Sequence, residues 1–185
     1  FQRAAKYARA LKKTFGKSFH IHIYLPTQGV TLQKLHLLAT SGIDEVRFHP
    51  NFLRPAKDEI KKILLAVSLK SRYNWQIGIE IPAIPKTEKQ IIAFIDKVKN
   101  VIDFLNLNEL EMSVLNAPSL IKRGMTYSDG AAVVDSASTA FRILKWCDKH
   151  TRLAVHYCSS ATKNLFQYKN RLRLRLRSVF KPYDR

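Results

Sequence analysis

Two histidines one residue apart, His20 and His22, stand in the segment SFHIHIYLP, and a second pair of reactive types, His156 and Cys158, lies in VHYCSS. On a strand, residues i and i+2 share a face, so the first pair could offer two imidazoles to a metal ion, as in barrel hydrolases. The second pair could activate a thiolate nucleophile. Both readings weaken on inspection. The His pair falls at the start of its strand, away from the carboxyl end where βα loops build sites, so a structural or supporting role is expected and this chain is expected to bind no metal. A shared strand face does not by itself give hydrogen-bonding geometry, so Cys158 reads as a buried inert thiol, and Cys147 as helix core. There is no phosphate-binding glycine loop, no GxSxG elbow and no CxxC pair.

The stronger signal is a set of polar residues recurring at every second position. Ile21, Ile23 and Leu25 alternate with His20, His22 and Tyr24; Val46 and Phe48 alternate with Glu45, Arg47 and His49. Ile77, Ile79 and Ile81 alternate with Gln76, Gly78 and Glu80, and Leu105 and Leu107 with Asn106 and Asn108. Strands of a parallel sheet covered on both faces usually read as unbroken apolar runs. Here each strand has one apolar face for helices and one polar face for something else. The polar residues near the strand ends, Tyr24, His49, Glu80, Asn108, Glu109, His156 and Cys158, are best placed to meet a ligand.

The elements that must position them follow from spacing. A helix over AAKYARALKKTF is closed by Gly16, and a strand runs Phe19–Leu25. Thr31 opens a short helix ending at Gly42, DEVRFHP is a strand, and Pro55 and Asp58 start a helix through LLAVSLK. WQIGIEIPAIP is a third strand, followed by a helix with a Thr87 cap and a lysine-rich end. IDFLNLNELEMS holds a fourth strand, residues 114–135 are less regular, ASTAFRILKWCDKH is a helix and RLAVHYCSS a fifth strand. The tail is helical through Arg171, and RLRLRLR fits either state. Early strand starts lie about 25–32 residues apart, so right-handed βαβ crossovers and parallel strands are expected. A polar inner face suits a partial, open (β/α) barrel of TIM-like type rather than a closed one, whose lumen is filled by apolar layers.

The chain has 185 residues, 32 Lys+Arg against 14 Asp+Glu, and a net charge of +18. That length suits one α/β unit, divided here into a barrel part (1–160) and a basic extension (161–185). An apolar content of 46% with 25% charged residues argues against disorder, and no run approaches the ~18 apolar residues of a membrane span. Two cysteines exclude a disulfide scaffold and suit a cytoplasmic location. Residues 1–17 carry six basic side chains and no acid, and residues 161–185 carry eight against Asp184. Those flanks, 1–17 and 163–181, could meet RNA or another anionic partner, without an RNA-recognition motif to give specificity. Oligomeric state is not legible.

The succession IHIYLPT, SGIDEVRFHP, GIEIPAIP, DFLNLNELEMS and VHYCSSATKNLFQYKNRL resembles the radical S-adenosylmethionine (radical SAM) superfamily. It is most similar to the branch related to pyruvate formate-lyase activating enzyme. The resemblance implies a (β/α)6 core in which the four early strands here would be the third to sixth. It also implies a [4Fe–4S] cluster on a CxxxCxxC loop and S-adenosylmethionine as cofactors of a full-length protein; this chain lacks that loop, and a fragment is expected. By resemblance Arg47, His49 and Glu80 would face the methionine carboxylate or the ribose, with Asn106 and Asn108 near the adenine or ribose. Glu109, His156 and Cys158 would lie toward a substrate that the sequence does not identify. The competing expectations are a metal-dependent barrel hydrolase using His20, His22 and His156, and an RNA-binding or RNA-modifying module using the basic flanks.

Overall fold

Helix α1 (Gln2–Phe15) buries Ala5 and Ala8 and ends where Gly16 takes φ 87°, its N–H bonding to Lys12 O. Strand β1 (His22–Pro26) follows, then α2 (Leu32–Thr40), whose first turn is capped by Thr31 Oγ1 accepting from Lys34 N at 3.3 Å. Strand β2 (Glu45–His49), helices α3 (Glu59–Val67) and α4 (Lys70–Tyr73), strand β3 (Gln76–Ala83), helix α5 (Glu88–Val98) and strand β4 (Phe104–Glu109) continue the alternation. Helices α6 (Ala117–Lys122) and α7 (Ser136–His150) lead to strand β5 (Ala154–Cys158). The computed structural model describes residues 1–55, 57–128, 130–181 and 183; Asp184 and Arg185 of the basic tail lie outside them.

The five strands are parallel and lie in the order β1-β2-β3-β4-β5, an open α/β sheet. Each connection steps in the same direction, and right-handed crossovers that never reverse put their helices on one face. The core agrees. Val46 and Phe48 from β2, Ile77, Ile79 and Ile81 from β3, and Leu105 and Leu107 from β4 are all buried, against Leu35 and Leu38 of α2, Ile63 of α3, Ile91 and Ile95 of α5 and Ile143 of α7. Trp75, just before β3, is 2% exposed and donates its indole N–H to Ala66 O. Trp146, on α7, is half-buried against the edge of the core, its ring stacked 5.0 Å from that of His150 with Lys99 Nζ 5.7 Å from it.

The register puts the alternate residues in rows across the other face: His22, Glu45 and Gln76; Tyr24, Arg47, Gly78, Phe104 and Ala154; Glu80, Asn106 and His156; Pro82, Asn108 and Cys158. At Gly78 a Cβ would fall 2.1 Å from the Phe104 ring, so glycine lets that ring lie across the sheet. Where α7 begins, Ser136 Oγ accepts from Leu110 N at 2.8 Å and donates to Ala83 O at 2.7 Å, fully buried, and so ties the helix to the ends of β3 and β4.

The first strand starts later than expected, and two segments left open by the sequence take definite form. Phe19–Ile21 precede the first strand: Lys12 Nζ bonds Phe19 O and the Asp44 carboxylate takes Ile21 N–H, while Ile21 O still accepts from Asp44 N and Glu45 N, so side chains stand in for only part of a ladder. The less regular stretch 114–135 holds α6 and, together with Glu111 and Met112 just before it, forms two antiparallel bridges (Glu111 with Ala132, Tyr127 with Val133) and a small core of Met112, Leu120 and Val133. The RLRLRLR stretch is helical, despite its period of two. It lies in α9 (Lys169–Val179), joined without a break to α8 (Ser160–Thr162) by a π-helical stretch, Lys163–Tyr168. No helix among the described residues is long and apolar enough to cross a membrane.

Candidate functional site

Glu80 sits at the centre of the bare face, on the middle strand, with 13% of its side chain exposed. Its neighbours in the sheet supply donors: Asn108 Nδ2 bonds Oε1 at 2.8 Å and Asn106 Nδ2 bonds Oε2 at 3.2 Å. Arg47, one strand away on the other side, brings Nη1 to 3.5 Å from Oε2. The same guanidinium donates through Nε to Glu45 and through Nη1 to Tyr24 Oη at 3.0 Å, and packs over the rings of Tyr24 and Phe104. Strand alternation thus brings six residues from four strands into one network in which two carboxylates share one guanidinium.

The electrostatics follow from that packing. Burial, the largest single influence on Arg47, acts to lower its pKa, but the hydrogen bond and charge of Glu45 and the contact with Tyr24 together raise it, so the cation is permanent. Burial first, then the Glu80 carboxylate, pushes the Tyr24 phenol up, which keeps it a neutral donor. Burial and then Arg47 draw His22 down, toward the neutral imidazole.

Above this network lies a cavity of about 430 Å³. Its floor is Tyr24, Arg47, Glu80, Asn106 and Asn108, and its β5 side is His156 and Cys158. The remaining wall comes from outside the sheet: Glu111, and Lys163, Asn164, Gln167, Tyr168 and Arg171 of the tail helix. Gln167 Nε2 approaches Cys158 Sγ at 3.7 Å, and Lys163 Nζ lies 3.4 Å from Glu111 Oε1. The π-helical stretch turns these tail side chains toward the strands.

The sheet therefore brings together Arg47, Glu80, Asn106, Asn108, His156 and Cys158. It does not bring His49 or Glu109 to the same cavity. His49 lines a separate cleft with Thr27, Asn51 and Glu59, at the carboxyl ends of β1 and β2. Glu109 has the other strand parity: its Oε2 accepts from Ser160 N at 2.6 Å, and with burial it drives the Tyr157 phenol up to about 12. Glu109 anchors the start of the tail helix. No hydrogen bond joins His156 to Cys158 among the described residues, and His156 stands on β5, the edge opposite to His20 and His22 beside β1, so neither the Cys/His pair nor the three-histidine metal set is assembled. Sequence reasoning missed Glu111 and did not see that Lys163, Gln167 and Arg171 would turn inward, since a basic run carries no sign of which face meets the sheet.

In chemical terms the cavity offers an ionised acceptor, a permanent cation beside it, amide groups and basic side chains above. That set suits a polar ligand with hydroxyls and both signs of charge. It lacks an activated nucleophile.

No family model matches the chain. It is 36% identical over 187 aligned residues to a Methanocaldococcus jannaschii protein named "Putative glycyl-radical enzyme activating enzyme", covering 98% of this chain and 49% of that one. The chain spans about half the length of the curated relative it matches. Among solved structures it is similar to a radical S-adenosylmethionine methyltransferase, TsrM, from Kitasatospora setae. In one structure, with tryptophan and a SAM analogue bound, the TM-score is 0.40 at 12% identity; in another, with cobalamin and a [4Fe–4S] cluster bound, it is 0.38 at 11%. Each covers 56% of this chain and 23% of the other.

Proposed function

We propose, from the premise that this chain is a relative of the glycyl-radical enzyme activating enzymes, that it forms the cofactor- and substrate-facing wall of a radical SAM enzyme. The observation that carries the reading is Glu80, fixed by Asn106 and Asn108 and flanked by Arg47, on the floor of a polar cavity. S-adenosylmethionine has a zwitterionic amino-acid end and a ribose with two hydroxyls. Glu80 can accept from an ammonium or a hydroxyl, Arg47 can donate to a carboxylate, and the Oδ1 atoms of the two asparagines stay available to further donors. The residues present fit that ligand.

They do not fit an iron–sulfur cluster. Cluster irons are held by thiolates, and the two cysteines here are buried on separate elements, Cys147 on α7 and Cys158 on β5. Burial also pushes the Cys147 thiol up, away from the thiolate. When bound, the SAM cofactor of such enzymes supplies radical chemistry; the protein's part is placement and exclusion of water. Here the β-strand residues orient the ligand, while the tail helix closes one side and adds Lys163 and Arg171, which favour an anionic group on the substrate side. His156 and Cys158 face that side, and Glu109 contributes by holding the tail in place.

The test is SAM binding to the full-length protein and to this chain. Glu80→Gln keeps the shape and removes the charge, and the expected result is a loss of affinity of roughly 10–100-fold, the scale of a hydrogen bond to a charged group. Unchanged affinity in that variant, or a full-length protein that, reconstituted with iron and sulfide, yields no 5′-deoxyadenosine from SAM under a reductant, overturns the reading.

A further inference from the structure

His20, His22 and Glu45 bring one donor atom each to within 4.8 Å of one another, at the amino ends of β1 and β2 and outside the cavity just described. We propose that this trio is a binding site for a borderline transition-metal dication of the zinc type. The geometry supports it: His22 lies directly across from Glu45 in the register, and the His20 ring, 6.3 Å from that of His22, reaches the same carboxylate. Two imidazoles and one carboxylate are a known donor set for zinc, and three protein ligands leave a fourth position for water. Donor atoms around a tetrahedral zinc stand roughly 3.3 Å apart, from bonds of about 2.0–2.1 Å. His20 Nε2 and Glu45 Oε2 already stand 3.1 Å apart. Both histidines are exposed, so a metal ion can reach them from solvent.

Glu45 is the reason this is more than two surface histidines. Its side chain is 8% exposed, and its two oxygens are divided: Oε1 takes the Arg47 Nε–H, while Oε2 is turned toward the imidazoles. A ligating carboxylate held by a hydrogen bond to its other oxygen is the usual supporting arrangement at metal sites. The nearby Arg47 cation works against a dication, but Glu80 lies 3.5 Å from Arg47 on its other side, so two carboxylates share one guanidinium. Standing at the opposite ends of the strands from the cavity, the ion serves to fasten the segment before β1 to β2. The proposal does not depend on what the cavity binds.

The probe is Co²⁺, then Zn²⁺, added to the chain after treatment with EDTA. Expected are one equivalent of Co²⁺ with visible d–d absorption and no sulfur-to-cobalt charge-transfer band, displacement by Zn²⁺, and a Tm raised by roughly 5–10 °C when zinc exceeds its Kd a hundredfold. His20→Ala and His22→Gln each weaken Co²⁺ binding at least tenfold while the far-UV circular dichroism stays that of the parent chain. Absence of saturable one-equivalent binding, or affinity retained in either variant, overturns the site. SAM affinity, measured separately, is expected unchanged in His20→Ala, so this outcome and that for the cavity are read independently.

Discussion

Gly78 occupies its place because Phe104 takes the space a side chain would need. In Gly78→Ala the new methyl would meet ring carbons at 2.1 and 2.2 Å, and the ring in turn lies under the Arg47 guanidinium. The expected cost is about 1–3 kcal/mol, the scale of overpacking, read as a lower urea midpoint, together with weaker ligand binding as Arg47 shifts. Tyr157 gives a pH effect. Its phenol is raised from 10 to about 12, by burial first and Glu109 second, so the native state holds a proton that the unfolded chain releases. The stability this brings is complete below pH 10 and is lost as pH rises toward 12. Tyr157→Phe should therefore flatten the fall in stability between pH 10 and 12, as followed by urea midpoints; an unchanged slope would assign the alkaline loss to other groups. Residue types alone could not yield either result, because both depend on which ring or carboxylate the fold sets alongside.

At the scale of elements, Ser136 is the clearest joint. One hydroxyl satisfies Leu110 N–H and Ala83 C=O in the interior, so Ser136→Ala leaves both without their partner. A loss of about 1–3 kcal/mol is expected, measured by urea unfolding at neutral pH. The alternation of apolar and polar residues made β2, β3 and β4 legible, since Val46/Phe48, Ile77/Ile79/Ile81 and Leu105/Leu107 can only turn together toward the helices. It failed at Phe19–Ile21, where the Asp44 carboxylate and Lys12 take over part of the backbone pairing, a long-range contact no local pattern contains. At Arg171–Arg177 it left helix and strand both open. Leu172, Leu174 and Leu176 alternate as in a strand, yet all are exposed on α9, where propensity and the preceding helix decide and no sheet partner is offered.

Taken as a whole, the molecule is a one-sided sheet with a basic exterior. The one-sidedness was readable from sequence, and with it the grouping of Arg47, Glu80, Asn106, Asn108, His156 and Cys158; the inward turn of the tail and the exclusion of His49 and Glu109 were not. The parity of Glu109 could have been read by counting from Leu107, since both fall on the helix side of β4. A net charge of +18 suits anionic partners in general, and RNA is the one with the clearest test: binding through counterion release would make log K fall linearly against log salt concentration. Neutralising Arg171, Arg173, Arg175 and Arg177 together should make that line shallower; a slope unaltered by the change would place the contact elsewhere on the surface.

The two tryptophans occupy opposite surroundings, and the protein therefore carries its own pair of optical reporters. Trp75 is sealed against α3 with its N–H bonded, so its emission should be blue-shifted and indifferent to dissolved iodide. Trp146 is only half-buried, packed against the edge of the core with Lys99 beside it, which draws the same anion toward its ring. Quenching by iodide should then resolve into two populations. The accessible one would follow events at α7 and β5, and the protected one would change only when the interior itself opens.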